Sequence, residues 1–305
     1  MHENELLKAY AEINQNLENP LIKILVSYIK PSCLFKTDIL TPIHLGRAVE
    51  REISKDGVLK EEDIQWLHEN CIGDDDFEGN ISSVNRGIGF LTGTYWAWKN
   101  YEKLGNPEYF GSMGYRRLFE PSFLSELKQY DMILPKRDIQ RPSLKEYFIS
   151  SHGKNIYQAM MDIFSCKYPH EFYEYEKYLS NDSGYMFEIY VLKKNLFFEF
   201  CEWIFPLVFE FMKLDDDELL PKGEERKAII EFFKQQTVIF ESEALFELYQ
   251  KRAKAFALER LTGFFLNLLV QRKYSYLEQK VIILNNSAKA NLFKMLRNKI
   301  GKKNG

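Results

Sequence analysis

The run LIKILVSYI at residues 21–29 constrains the fold more than any other stretch. It is apolar, rich in β-branched residues and stopped by Lys30-Pro31-Ser32, so it predicts a buried first strand. Helical and strand patterns then alternate. Residues 59–70 predict a helix, and a second helix ends in WAWKN at 96–100. YFGSMGY at 109–115 predicts a strand, Pro121 opens another helix, and YDMILPKR at 130–137 predicts the next strand. This order favours an α/β layer with a mainly parallel sheet. Such sheets bind ligands outside the carboxyl ends of their strands. Lys30, the Tyr115-Arg116-Arg117 run and Lys136-Arg137 all follow strand ends in this reading.

The remaining segments fill in around that layer. Residues 3–18 predict an amphipathic helix with Leu6, Leu7, Tyr10, Ile13 and Leu17 on one face. A long loop is expected through Thr41, Pro42, Ile43, His44 and Gly46, and GDDDFEGNISSVN reads as a loop by composition. Asn85 is placed to cap the next helix, on which Ile88, Leu91, Tyr95 and Trp98 form a core-facing stripe. The second half reads as mostly helical. Helices are expected over 143–180 with breaks near Gly153 and Pro169, over 193–213 with a kink at Pro206, and over 224–235 and 243–270. YMFEIYVL at 185–192 and VIIL at 281–284 predict two further strands. The expected division is an α/β region at 1–140, a mainly helical region at 141–285 and a basic amphipathic tail at 286–305.

Composition excludes some classes. A net charge of -3 over 305 residues leaves no global electrostatic footprint for nucleic acid. The four cysteines lie far apart, without metal-ligand or CxxC spacing, as expected of reduced thiols in a cytoplasmic protein. The opening MHENELLKAY is too acidic and polar for a secretory signal. The most apolar run, residues 196–211, carries Glu199, Glu202 and Glu210, and is too short and charged to span a bilayer. The tail carries Lys289, Lys294, Arg297, Lys299, Lys302 and Lys303 beside an apolar face, a pattern that can rest on an anionic membrane surface. A docked terminal helix is the plainer reading of it.

Several polar residues stand out as candidates. Guanidinium forks match phosphate oxygens and keep their charge near neutrality. Arg116 and Arg117 at a strand tip could therefore hold a diphosphate, and a surface ion pair is the plainer alternative. Asp74, Asp75 and Asp76 could share a hard divalent cation, Mn²⁺ or Mg²⁺, or form a solvated turn. Asn80 and Ser82 could hydrogen-bond a ribose or base, and turn chemistry explains them equally well. His44 sits beside Gly46, where backbone can approach closely. Trp96 and Lys99 share a helix face that could wall a ligand. Asp131 opens its strand, at the wrong end for the site. Glu259 and Arg260 lie in an apolar helix, where charges are usually paired.

Eight motifs in order carry a resemblance: SYIKPS, ILTPIHLGRA, DDDFEGNISSVN, LTGTYWAWKN, FGSMGYRRLF, YDMILPKR, YMFEIYVLKKNLFFEFCEWIFPLVFE and AFALERLTGFF, spanning about residues 22–270. Together they resemble the DUF4422 group of bacterial polysaccharide-biosynthesis glycosyltransferases. The resemblance implies a GT-A-like nucleotide-diphospho-sugar transferase fold with a largely helical C-terminal half. It implies transfer of a sugar to a lipopolysaccharide, O-antigen or capsule acceptor, free or lipid-linked, at the inner face of the membrane; a homo-oligomer is a further expectation. Lys30, His44, Asn80, Ser82, Lys99, Tyr115, Arg116, Arg117 and Lys136 match the family pattern and would bind the donor. Asp75 also matches, with Asp74 and Asp76 beside it for any metal, and Glu259 is the nominee for catalytic base. The sequence departs from the pattern at Ile29 and Gly114, where the family has His, at Glu78-Gly79 in place of Gly-Asp, at Phe90 in place of an acid, and at Tyr185 in place of Asn. Those changes keep open a second reading, a catalytically silent paralogue serving as binding or scaffold partner of an active transferase.

Overall fold

A computed structural model describes residues 3–284, apart from residues 14, 17, 55 and 56. The basic tail thus lies outside the described residues. Helix α1 (Glu3–Ala11) leads to β1 (Ile22–Tyr28), then β2 (Leu40–His44), α2 (Glu61–Asn70) and β3 (Ile72–Gly73). The short α3 (Asn85–Ile88) and α4 (Leu91–Lys99) precede the hairpin of β4 (Tyr109–Gly114) and β5 (Arg117–Phe119). Strands β6 (Met132–Pro135) and β7 (Asp138–Ile139) follow. The second half runs α5 (Leu144–His152), α6 (Lys154–Lys167), α7 (Phe172–Leu179), β8 (Ser183–Gly184), β9 (Tyr190–Lys193) and α8 (Lys194–Phe211). It ends with α9 (Asp216–Leu219), α10 (Gly223–Gln235), α11 (Glu243–Gln250), α12 (Ala253–Gln271), β10 (Tyr276–Gln279) and β11 (Val281–Ile283).

The main sheet has the order β10-β6-β9-β4-β1-β2-β3, with β5 joining β4 to β11. Strand β1 is parallel to β2 and β4, whereas β9 runs antiparallel between β4 and β6. The sheet is therefore mixed: β9 is reversed within the main order, and β5 also runs antiparallel to its neighbours β4 and β11. It also takes in β9, β10 and β11 from beyond residue 140. Side chains alternate across it as a period of two requires. Ile24, Val26 and Tyr28 pack with Leu6, Tyr10 and Leu67 on one face, while Leu25, Phe110 and Leu192 pack with Trp96, Phe197 and Phe200 on the other. Covering both faces explains why β1 is apolar nearly throughout.

Several expectations change. The loop read through Thr41 and Pro42 is strand β2, in register with β1 from Leu40 to His44. Pro42 is tolerated because β3 reaches only Ile43 and His44, so Pro42 has a strand neighbour on one side alone. Helix α1 stops at Ala11, and Gln15 instead bonds the Ile22 and Asp38 carbonyls at 2.8 Å, tying the chain to β1. Of the stripe predicted for α1, Leu17 lies outside the described residues. Asn85 does not cap a helix from outside. It is the first residue of α3, and its amide donates to the Gly89 carbonyl and Thr92 hydroxyl at 2.8 Å, bridging the break before α4. The segment after Pro121 forms 3₁₀ turns rather than an α-helix. The strand expected from Tyr185 starts only at Tyr190, because Phe187 and Glu188 take left-handed φ values of 72° and 50°. The helix read over 243–270 is two helices, broken at Lys251-Arg252. Helix α8 runs through Pro206 as a buried core helix. Among the described residues, no helix is long and apolar enough to cross a membrane.

Candidate functional site

A cleft of about 680 Å³ opens where β1, β2 and β4 end. Its position follows from topology: neighbouring parallel strands deliver their following loops to one edge. Ser27 and Lys30 come from β1, His44 and Gly46 from β2, and Gly114 through Arg117 from the β4–β5 turn. Further lining is supplied by Glu188 ahead of β9 and by Tyr249, Arg252, Phe256 and Glu259 around α11 and α12.

The basic side of the cleft is braced by aromatic rings. Tyr115 is buried and stacks on Tyr28, with centroids 5.3 Å apart. The Tyr28 hydroxyl donates to the Cys33 carbonyl and accepts from the Phe35 amide, both at 2.8 Å, fixing the loop that follows Lys30. The Arg117 guanidinium lies 4.4 Å from the centre of the Phe187 ring. Arg116 is exposed, and its guanidinium carbon sits 5.1 Å from the Tyr115 ring centre. Arg86 holds the far rim, donating to the Val49 carbonyl at 2.8 Å.

The acid loop has a structural task. Asp74 is buried and accepts from the amides of Gly46 at 2.7 Å and Arg47 at 3.2 Å, and from the Ser82 hydroxyl. Burial raises its pKa, and these donors oppose that shift. Ser82 Oγ also accepts from the Ala48 amide at 3.1 Å. Asp74 and Ser82 together thus clamp the turn after β2, in which Gly46 has φ 69° and a Cβ would come within 2.7 Å of Asn85. Asp75 pairs with Arg47 at 3.6 Å, while Asp76 accepts from the Trp96 indole and meets Lys103 at 3.8 Å. The three acids are committed to different partners and do not form one ligand set. Asn80 closes the same loop by donating to the Phe77 carbonyl at 2.8 Å.

Of the residues singled out in the sequence, Lys30, His44, Tyr115, Arg116, Arg117 and Glu259 line the cleft. Asp74, Asp75, Asp76, Asn80 and Ser82 stand behind it. Lys99 is exposed, its ammonium 3.7 Å from the Trp98 ring centre, and Lys136 is exposed outside the cleft. Its neighbour Arg137 donates to Asn267 at 2.7 Å.

Two features escaped the sequence reading. The first is a group formed by His44, Glu50 and His68. Among the described residues it alone brings three such side chains to ligand atoms within 4.8 Å of one another. Glu50 Oε2 lies 2.9 Å from His68 Nε2 and 3.6 Å from His44 Nδ1, which has no hydrogen-bond partner. Burial, then the charges of His68, Arg47 and Arg86, push the His44 pKa down to about 3, so its ring stays neutral. Two imidazoles and a carboxylate can coordinate a divalent cation. No sequence spacing announces this group, since α2 must fold back to bring His68 to β2. The second feature is Glu188, only 8% exposed, whose Oε1 has no hydrogen-bond partner. Its one sequence signal was an acid inside an otherwise apolar strand pattern. Glu259 lies beside it. Its Oε1 accepts the Phe187 amide at 2.7 Å, and its Oε2 accepts from Arg260 at 2.9 Å.

A mixed sheet with helices on both faces, a largely helical C-terminal half and a cleft at the parallel strand ends make this a GT-A-like fold. The structure is similar to that of WbbM, a bifunctional glycosyltransferase solved in its apo form, with a TM-score of 0.61 and 21% identity. The match covers 87% of this chain and 45% of that one, so the chain spans less than half the length of WbbM. The chain belongs to the DUF4422 family, a domain of unknown function, which matches residues 23–254. No curated protein matches the sequence significantly.

Proposed function

We propose that this protein is a glycosyltransferase that moves a sugar from a nucleotide-diphosphate donor to a saccharide acceptor. One observation carries the reading: Lys30, Tyr115, Arg116 and Arg117, from two different strand ends, line a single cleft. In that cleft the donor's diphosphate lies along the basic side, and the arginines stabilise the negative charge that develops as it departs. The sugar and the acceptor hydroxyl face the wall formed by Glu188, Tyr249 and Phe256. His44, Glu50 and His68 would hold a divalent cation, and imidazole ligands suit Mn²⁺ better than Mg²⁺. When bound, it would supply further positive charge for the diphosphate. Because the arginines neutralise the same charge, transfer without a metal is compatible with this arrangement. The acceptor we assign is a lipopolysaccharide, O-antigen or capsule saccharide, free or lipid-linked, met at the inner face of the membrane. The family resemblance supports this acceptor class.

The test is a panel of UDP-, GDP-, CMP- and dTDP-sugars, with and without Mn²⁺, scored for thermal stabilisation and for release of the nucleotide diphosphate, or of CMP from the CMP-sugars. Binding and release from at least one donor are expected. Binding with neither hydrolysis nor transfer would favour the second reading, a silent partner of an active transferase. That alternative rests on Ile29, Phe90 and Gly114, three departures from the family pattern that all line the cleft.

A further inference from the structure

We propose that Glu188 is the carboxylate that accepts the proton of the attacking hydroxyl, an assignment that rests on the glycosyltransferase reading of the same cleft. A carboxylate serving as base needs a free oxygen, access to the cleft, and a fixed position within hydrogen-bond reach of its proton. Glu259, the nominee from sequence, has both oxygens engaged, one by the Phe187 amide and one by Arg260. Glu188 lines the cleft, is 8% exposed, and has an oxygen with no hydrogen-bond partner. A buried polar atom left unpaired is costly in a folded protein, and at a ligand site the ligand can satisfy it.

The backbone supports the same assignment. Phe187 and Glu188 both have left-handed φ values, a conformation that non-glycine residues adopt at some energetic cost and that gathers at functional sites. The hydrogen bond from Phe187 to Glu259 holds this turn, so Glu259 is a positioning residue. Two adjacent carboxylates thus differ in environment, one tied down and one buried but unpaired, and such differences divide paired acids into separate roles. The charged and titratable groups around Glu188 are Glu259, Arg252 and the hydroxyl of Tyr190, with Arg117 beyond the Phe187 ring. Burial first, then the charge of Glu259, favours the protonated acid, and Arg252 opposes them.

In the step itself, the acceptor oxygen bonds to the anomeric carbon while its proton passes to Glu188. The bond from that carbon to the diphosphate oxygen breaks, and its electron pair leaves with the nucleotide diphosphate beside Lys30, Arg116 and Arg117. Attack from the side opposite the leaving group inverts the anomeric centre. Water can replace the acceptor, so donor hydrolysis reports the same step.

The experiment compares full-length wild type, Glu188→Gln, Glu188→Asp and Glu259→Gln on whichever donor of the panel wild type turns over. Glu188→Gln should lower kcat by about 100-fold or more while nucleotide-diphosphate affinity stays within about threefold. Added formate should restore part of the rate in a Glu188→Ala chain, and Glu188→Asp should retain part of it. The acidic limb of the kcat–pH profile should vanish in Glu188→Gln and persist in Glu259→Gln. A Glu188→Gln chain with wild-type kcat and an unaltered profile would overturn the assignment while leaving the glycosyltransferase reading intact. A wild-type chain that binds a nucleotide sugar but neither hydrolyses nor transfers it would overturn both. Carboxyl carbon resonances followed against pH give a check that needs no turnover. Glu188 should titrate well above an ordinary glutamate, and an ordinary titration would count against it.

Discussion

The Phe187 amide donates to Glu259 Oε1 at 2.7 Å, linking the turn before β9 to the middle of helix α12. The other Glu259 oxygen accepts from Arg260, which is 3% exposed and also donates to Gln140 at 3.0 Å. Replacing Glu259 by Leu would free the amide and leave a buried guanidinium without its counter-charge. Breaking one side of a buried pair costs about 3–5 kcal/mol, and the lower figure is expected because Glu259 is partly exposed. Glu259→Gln keeps an acceptor for the amide and should cost less. Urea unfolding of the two variants measures the difference, and equal losses would mean that the amide link is unimportant.

Alanine at Arg116 or Arg117 should weaken binding of UDP or GDP. A hydrogen bond to a charged group is worth about 1.5–3 kcal/mol, so each substitution should raise Kd by roughly 10- to 100-fold. The two differ in stability. Arg116 is exposed and should cost little, whereas Arg117 lies on the Phe187 ring and should lower the melting temperature. Calorimetric titration reads the affinities, and unchanged binding in the double variant would remove the phosphate site from this end of the cleft.

Glu188 gives stability a definite pH dependence. Its folded pKa is raised by burial and by Glu259, so the folded chain holds this proton more tightly than the unfolded chain does. Its contribution is complete below the unfolded glutamate value of about 4.3 and is lost as pH rises from there through the folded value. The slope approaches about 1.4 kcal/mol per pH unit while only the folded form is protonated. Glu188→Gln should remove that slope, and its stability relative to wild type should increase with pH. Denaturant midpoints between pH 4 and 8 test this (a range set by roughly that reference value), and parallel curves would contradict it.

Metal uptake should follow the imidazole pair. Protein stripped with chelator should bind Mn²⁺ more tightly than Mg²⁺. His68→Ala and Glu50→Gln should each weaken that binding by about tenfold or more, while Asp75→Asn and Asp76→Asn should leave it unchanged. Equal losses in all four variants would return the metal to the acid loop.

Phe90 and Gly114 occupy one another's space. A Cβ on Gly114 would lie 3.3 Å from Phe90 Cζ, so the ring must yield slightly to any side chain there. Gly114→Ala should cost about 1 kcal/mol, and Phe90→Leu should cancel part of that cost in the double variant. Additive losses would mean the two positions are independent.

Much of the fold could be read from the sequence because its strands are strongly patterned. LIKILVSYI, YFGSMGY and YDMILPKR became β1, β4 and β6, and the arginines fell at a strand tip as expected. Strand β2 was hidden by Pro42, whose breaker character holds only where a strand has neighbours on both sides. The reversed β9 was shortened by left-handed residues that carry no glycine to mark them. The break at Lys251-Arg252 likewise has no proline or glycine. At the site, the strand-end reading put Lys30, Arg116 and Arg117 along the cleft, while Lys99 and Lys136 lie outside it. It did not foresee that Asp74 is engaged by backbone amides from Gly46 and Arg47, far away in sequence. The His44, Glu50 and His68 group depends on the same long-range folding.

Among the described residues, the two strands that finish the sheet come after all of its helices in the chain. Strand β10 pairs with β6, and β11 pairs with β5, where Ile283 faces Arg117 and the Leu284 amide donates to the Arg116 carbonyl at 2.9 Å. The backbone of both arginines is therefore fixed by residues more distant in the chain than any others that shape the cleft. Contacts of such long sequence separation form late. A chain can have its first strands, its helices and most of its core in place, yet lack a settled binding edge until β10 and β11 dock. Competence to bind an anionic ligand is thus tied to completion of the sheet rather than to formation of the core.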